Sequence, residues 1–113
     1  MKKIKSVVTG GYGFIGSHMV DLLLSKDHEV VVIDNLSSGN YKNLNHHKKN
    51  TFTFHEEDLS NLNNSVSAIQ DCDYIFHIAG LADVVPSIDR PIDYYNSNVN
   101  GTLSIANLAR ENQ

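Results

Sequence analysis

Cysteine, proline, tryptophan and positive charge are all scarce in this 113-residue chain. Cys72 is the only cysteine, which rules out an intrachain disulfide and fits a reducing cytoplasm. The opening Met1-Lys2-Lys3-Ile4-Lys5 leads into an apolar stretch too short, and too soon broken by glycine, for a signal peptide or a membrane span. A soluble, cytoplasmic protein with no membrane partner is the expectation. Nine basic side chains against thirteen acidic ones give a net charge of -4. Beyond the N-terminus the only paired basic residues, Lys48 and Lys49, follow two histidines in a polar stretch, so no nucleic-acid partner is expected.

Metal-ligand patterns are missing as well. The six histidines form neither His-Glu-x-x-His nor a Cys/His ligand set. His46 and His47 adjoin in a loop, where their rings are expected not to converge on one ion, and His55 and His77 fall in strands. No metal is expected. Cys72, flanked by Asp71 and Asp73, is expected to keep its proton and stay inert.

Glycine, by contrast, is concentrated. Gly10, Gly11, Gly13 and Gly16 fall within VVTGGYGFIGSHMV, residues 7–20, although glycine is costly inside strands and helices. The cluster reads as G-x-G-x-x-G from Gly11 or as G-x-x-G-x-x-G from Gly10. Either match alone can mean only a strand–turn–helix joint. The flanks say more. A β-branched run precedes the cluster, and Ile15, Met19, Leu22 and Leu23 follow it at helical spacing over residues 14–26. Asp34 then closes a second strand, HEVVVID, 18 residues after Gly16.

Strand, glycine turn, helix and a second strand ending in a carboxylate make the pattern of a dinucleotide-binding unit. Glycines let a pyrophosphate approach the backbone, and the first amides of the helix, with its dipole, stabilise that negative charge. Asp34 can accept hydrogen bonds from the adenosine ribose hydroxyls and repels a 2′-phosphate. No Arg or Lys lies beside it, which favours NAD over NADP.

The rest of the chain continues the alternation. Residues 29–33 read as that second strand, and Val30 to Ile33 are apolar without interruption, as in a parallel strand covered on both faces. Residues 35–50 read as a polar loop with one helical turn near 41–44, and residues 51–55 as a third strand. A helix is expected over 62–69 with Ser60 or Asn61 as its cap, and a fourth strand over 73–79. Pro86 and Pro91 bracket an expected loop, and residues 94–110 look helical. Together these predict an α/β fold: a Rossmann-type doubly wound parallel sheet, partial, with four strands in the order 3-2-1-4.

VTGGYGFIGSH, VVVIDNLSSG, HEEDLS, FHIAGLADVVPS and PIDYYNSNVNGT, in this order and spacing, resemble the N-terminal half of the extended short-chain dehydrogenase/reductase family. The likeness is strongest to its NAD-dependent nucleotide-sugar epimerases and dehydratases, and among those to the UDP-glucose 4-epimerases. It implies that residues 1–113 are an NAD(P)-binding Rossmann domain, the N-terminal part of a longer enzyme with a nucleotide-sugar substrate. It further implies a homodimer built on the fourth and fifth helices.

The resemblance also implies roles for particular residues. Gly10, Gly13, Phe14 and Ile15 would meet the pyrophosphate. Asp34 and Asn35 would hold the adenosine ribose, with Leu36, Ser37, Ser38 and Gly39 beside them. Asp58 and Leu59 would flank adenine. Ala79, Gly80 and Leu81 would make room for the cofactor, and Asn98 matches the asparagine of the family's N-V-x-G-T helix. Val85 and Ser87 would border the sugar-nucleotide pocket. One departure stands out: where the 4-epimerases carry a lysine after A-G-L, this chain has Ala82 and Asp83. That removes a cationic contact and sets a carboxylate nearby.

The family's chemistry needs a Tyr-x-x-x-Lys pair on one helix, the lysine lowering the tyrosine pKa. Tyr12, Tyr41, Tyr74, Tyr94 and Tyr95 lead at that spacing to Gly16, Asn45, Ile78, Asn98 and Val99, never to lysine. No catalytic residue is therefore assigned, and the chain alone is expected to be inactive. Three functions fit these residues: the NAD-binding part of a 4-epimerase, that of a sugar-nucleotide 4,6-dehydratase, or a non-catalytic NAD-binding regulatory module.

Overall fold

The computed structural model describes residues 2–111. Its frame is a four-stranded parallel sheet of β1 (Lys5–Thr9), β2 (Glu29–Asp34), β3 (Thr53–Glu56) and β4 (Tyr74–His77), ordered β3-β2-β1-β4. Val7 pairs with Val31 on one side and Ile75 on the other, which places β1 and β2 at the centre. Consecutive strand residues point to opposite faces, so a strand covered on both sides buries apolar residues toward both, and the polar Ser6 and Thr9 of β1 are buried with His28 and His77 as partners.

That is how the central strands are used. Val7, Val31 and Ile33 pack with Leu59, with Ala68 and Ile69 of α2 (Val66–Gln70), and with Ile105 of α5 (Gly101–Glu111). Val8, Val30 and Val32 pack on the opposite face with Tyr12, Leu44, and Val20 and Leu23 of α1 (Phe14–Ser25). Full burial of each such aliphatic side chain contributes roughly 1.5–3 kcal/mol. The helix α1 stops where Asp27 takes φ 64, with Asp27 N–H on Leu24 O and His28 N–H on Leu23 O. This paired bonding closes the last turn and aims the chain into β2.

The connections depart from the sequence-based boundaries at several points. The second helix starts at Val66 rather than at residue 62, and neither Ser60 nor Asn61 caps it. Instead Asp58 accepts from Ser60 N and Oγ and caps a separate 3-10 turn, Leu59–Asn61. Glu57 accepts from Asn63 N and Ser65 Oγ and so ties the approach to α2. In place of the loop expected between the prolines, α3 (Val84–Asp89) starts before Pro86 and runs into that segment, and its first turn needs no N–H from Pro86. Next, α4 (Pro91–Tyr95) begins at Pro91, a residue suited to a first helical position, three residues before the expected start. A π-helical turn, Asn96–Asn100, joins α4 to α5.

Ile88, Ile92, Tyr95, Val99 and Leu103 stay exposed on α3, α4, the π turn and α5. Among the described residues, no helix is long and apolar enough to cross a membrane.

Candidate functional site

The carboxyl ends of β1, β2 and β4 open into a cleft of about 340 Å³. This is where ligands bind in open parallel sheets, beside the point at which the strand order reverses. Here the order reverses between β1 and β4. Three groups of residues build the walls.

The first wall is the glycine turn. Gly10 has φ +71, and a Cβ there would stand 2.7 Å from Ala79 Cα, so only glycine lets β1 turn this close to β4. A Cβ on Gly16 would overlap the Gly10 carbonyl. The helix can therefore start tight against the turn only without that side chain. Gly13 caps α1 without a side-chain bond, and the first turn carries no acidic residue. The uncapped start of this helix, with Gly13, Phe14, Ile15 and Gly16 lining the cleft, leaves its first amides and its positive dipole end for an anion.

The second wall is the end of β2. Asp34 is 9% exposed; its Oδ2 accepts from Tyr12 N at 2.9 Å and its Oδ1 from Leu36 N at 2.8 Å. These two bonds hold the carboxylate at the cleft and spend about half of its acceptor capacity. Asn35, Ser37, Ser38 and Gly39 line the cleft beside it. Leu36, at φ 61, contributes its amide to Asp34 rather than a cleft surface.

The third wall combines the ends of β3 and β4. Asp58 and Leu59 line it, and the bonds from the Ser60 side chain and amide hold the Asp58 carboxyl below the usual aspartate range. Burial would raise the Glu57 carboxyl, but bonds from Asn63 and Ser65 outweigh it and hold the group low. Three carboxylates thus border the cleft, and among the described residues its lining includes no lysine or arginine.

Ala79 and Gly80 complete the wall. Leu81 and Asn98 stand behind it: Asn98 Oδ1 accepts from Leu81 N and its Nδ2 donates to Leu81 O, both at 2.8 Å. Val85 and Ser87 lie on α3, outside the lining.

Sequence reasoning left out Ile33, Glu57, Ile78, Ala82 and Ser97, which also line the cleft. Ile33 and Ile78 sit at strand ends, a signal that could have found them. Ser97 had no such signal, because the π turn that exposes it is not written in the apolar spacing. Cys72 is held protonated mainly by burial, with Asp73 and Asp71 adding to it against the pull of Lys5.

A family model described as GDP-mannose 4,6 dehydratase matches residues 7–113. The chain is 41% identical over 102 residues to the UDP-glucose 4-epimerase of Erwinia amylovora, covering 86% of this chain and 30% of that protein. It thus spans about a third of the length of that relative. The solved UDP-N-acetylglucosamine 4-epimerase of Methanobrevibacter ruminantium M1, in complex with UDP-N-acetylmuramic acid, superposes with TM-score 0.87 at 42% identity, over 99% of this chain and 36% of that one. The UDP-glucose 4-epimerase of Thermus thermophilus, in complex with NAD, superposes with TM-score 0.79 at 30% identity, over 96% and 34%.

Proposed function

The chain belongs to the GDP-mannose 4,6 dehydratase family of nucleotide-sugar enzymes, and from that premise we propose that it is the NAD-binding Rossmann part of a nucleotide-sugar 4-epimerase. The observation that carries this reading is Asp34 facing the uncapped start of α1 across one cleft. The two features match the two ends of an adenosine diphosphate. The cleft volume falls within the range of small-molecule sites, about 300–1,000 Å³.

The residues divide the work by chemistry. Phe14 and Ile15 offer main-chain amides to the pyrophosphate, and Gly10 and Gly13, whose own amides donate to Ile33 O and Gly10 O, leave it open space. Asp34 keeps acceptor capacity for the two ribose hydroxyls, with Asn35, Leu36, Ser37, Ser38 and Gly39 around it. Asp58 and Leu59 border adenine, and Ala79, Gly80, Leu81 and Asn98 shape the floor. The carboxylate of Asp34, with no lysine or arginine lining the cleft among the described residues, disfavours a 2′-phosphate and favours NAD. NAD held by these residues would supply a hydride acceptor for transient oxidation at the sugar C4. The Tyr-x-x-x-Lys pair on which the family's chemistry rests is absent from the 113 residues, and no catalytic role is assigned to the residues lining this cleft. Val85 and Ser87 are the proposed border of the sugar-nucleotide pocket.

Ala82 favours a second reading. It lines the cleft where the 4-epimerase pattern has lysine, and that departure suits a sugar-nucleotide 4,6-dehydratase equally well. The exposed apolar residues of α4 and α5 support a homodimer, and the cytoplasm is the proposed location.

Calorimetric titration with NAD tests the reading. One site is expected, with affinity falling about tenfold or more in Asp34→Ala, as for loss of hydrogen bonds to a charged group. NADP should bind more weakly than NAD. No heat with NAD from the folded protein, or equal affinity in Asp34→Ala, would overturn it.

A further inference from the structure

Away from the cleft, two rings that were expected not to converge do so. His46 Nε2 stands 2.8 Å and His47 Nε2 2.6 Å from the same oxygen, Asp21 Oδ1. The three donor atoms lie within 4.8 Å of one another. We propose that Asp21, His46 and His47 form a binding site for a divalent transition metal of the zinc class, fastening the loop that follows β2 onto α1.

Backbone geometry explains the convergence. A 3-10 turn over Tyr41–Asn43 is followed by a further turn in which His47 N–H donates to Leu44 O. In an extended chain consecutive side chains point to opposite sides; the curled backbone instead sets both imidazoles side by side, centroids 4.2 Å apart. Leu44, buried at 2% exposure in the core against α1, anchors the turn beside that helix. Asp21 projects from α1 to meet them.

The donor chemistry selects the ion. Two imidazole nitrogens and one carboxylate oxygen suit zinc, cobalt or nickel and are poor for magnesium or calcium, which take oxygen ligands. A tetrahedral ion about 2.0–2.1 Å from each donor needs donors roughly 3.3 Å apart, so both rings must withdraw by about half an ångström. Side chains that are 52%, 18% and 38% exposed, for His46, His47 and Asp21, can make that adjustment. The same exposure leaves a fourth position for water and a path of entry.

Asp21 supplies the carboxylate on which both rings converge. The opposing charges are Lys48 and Lys49, which line the hollow next to His47. A hydrogen-bonded clamp without metal is the competing arrangement. It too joins α1 to the loop, but it shows no ligand field.

Chelator-treated protein titrated with cobalt chloride separates the two. One equivalent is expected to give a visible ligand-field band, which zinc chloride then bleaches. The band should vanish in His46→Ala/His47→Ala, and affinity should fall at least tenfold in Asp21→Asn. Zinc should also slow amide exchange over residues 41–47 in the unaltered protein but not in the double variant. A flat spectrum, or a band that survives the double substitution in folded protein, overturns the site. Circular dichroism of each variant establishes that it is folded before the comparison is made.

Discussion

Thr9 Oγ1 lies 2.8 Å from His77 Nδ1 and also accepts from the amides of Ile78 and Ala79, at 3.0 and 3.1 Å. With those two amides occupying its lone pairs, the hydroxyl must donate to His77. The imidazole then carries its proton on Nε2 and donates to Thr102 Oγ1 at 2.8 Å, and that hydroxyl donates to Asn98 O. One threonine at the end of β1 thereby fixes the end of β4, the tautomer of a histidine and the start of α5.

Replacing Thr9 with Val keeps the shape but leaves the Ala79 amide without its acceptor, and Ile78 N–H keeps only its 3.3 Å bond to the carbonyl of residue 9. Unsatisfied buried donors cost about 1–3 kcal/mol each. Urea unfolding of Thr9→Val should show a loss of about 1–3 kcal/mol, and an unchanged midpoint would refute the role given to the hydroxyl.

His77 predicts a pH dependence of stability. Burial lowers its pKa below the ordinary 6.5, so folding favours the neutral ring. Its contribution is fully present above about pH 6.5 and is lost as pH falls below that value. Unfolding midpoints between pH 7.5 and 5.5 should fall more steeply for the unaltered protein than for His77→Asn. Parallel slopes would show that this ring does not titrate across the transition.

Gly16 has no room for a side chain against the Gly10 carbonyl. Gly16→Val should destabilise by about 1–3 kcal/mol through overpacking. It should also abolish NAD binding, because the helix start must retreat from the turn. Retention of both stability and affinity would contradict the geometry.

Asn98 grips both polar groups of Leu81. Asn98→Asp removes the donor to Leu81 O and turns a carboxylate toward that carbonyl. Loss of one net hydrogen bond is worth about 1 kcal/mol, so Leu81 amide exchange should quicken about fivefold. Exchange at Val8, in the sheet core, should not change.

The fold was legible where local patterns are sufficient. The apolar runs of β1 and β2, the helical spacing of α1 and the glycine cluster gave the strand–turn–helix–strand unit, and the structure shows the expected sheet order. Boundaries were missed where a side chain from elsewhere decided them. Glu57 and Asp58 take the polar groups around residues 60–65, so the helix waits until Val66. Around Pro86 a short helix, Val84–Asp89, forms in a segment that looked broken by its prolines.

What the sequence by itself determined is the glycine turn, the buried strands and the carboxylate at the end of β2, because backbone freedom and the alternation of apolar side chains act within a few residues. Only the tertiary structure decided that Ser97 faces the cleft, that Asn98 holds Leu81 across 17 residues, and that His46 and His47 share one oxygen of Asp21. Each of these depends on where a turn of the backbone places a side chain relative to a distant partner, and a shift of one residue in a π or 3-10 turn swings that side chain to another face.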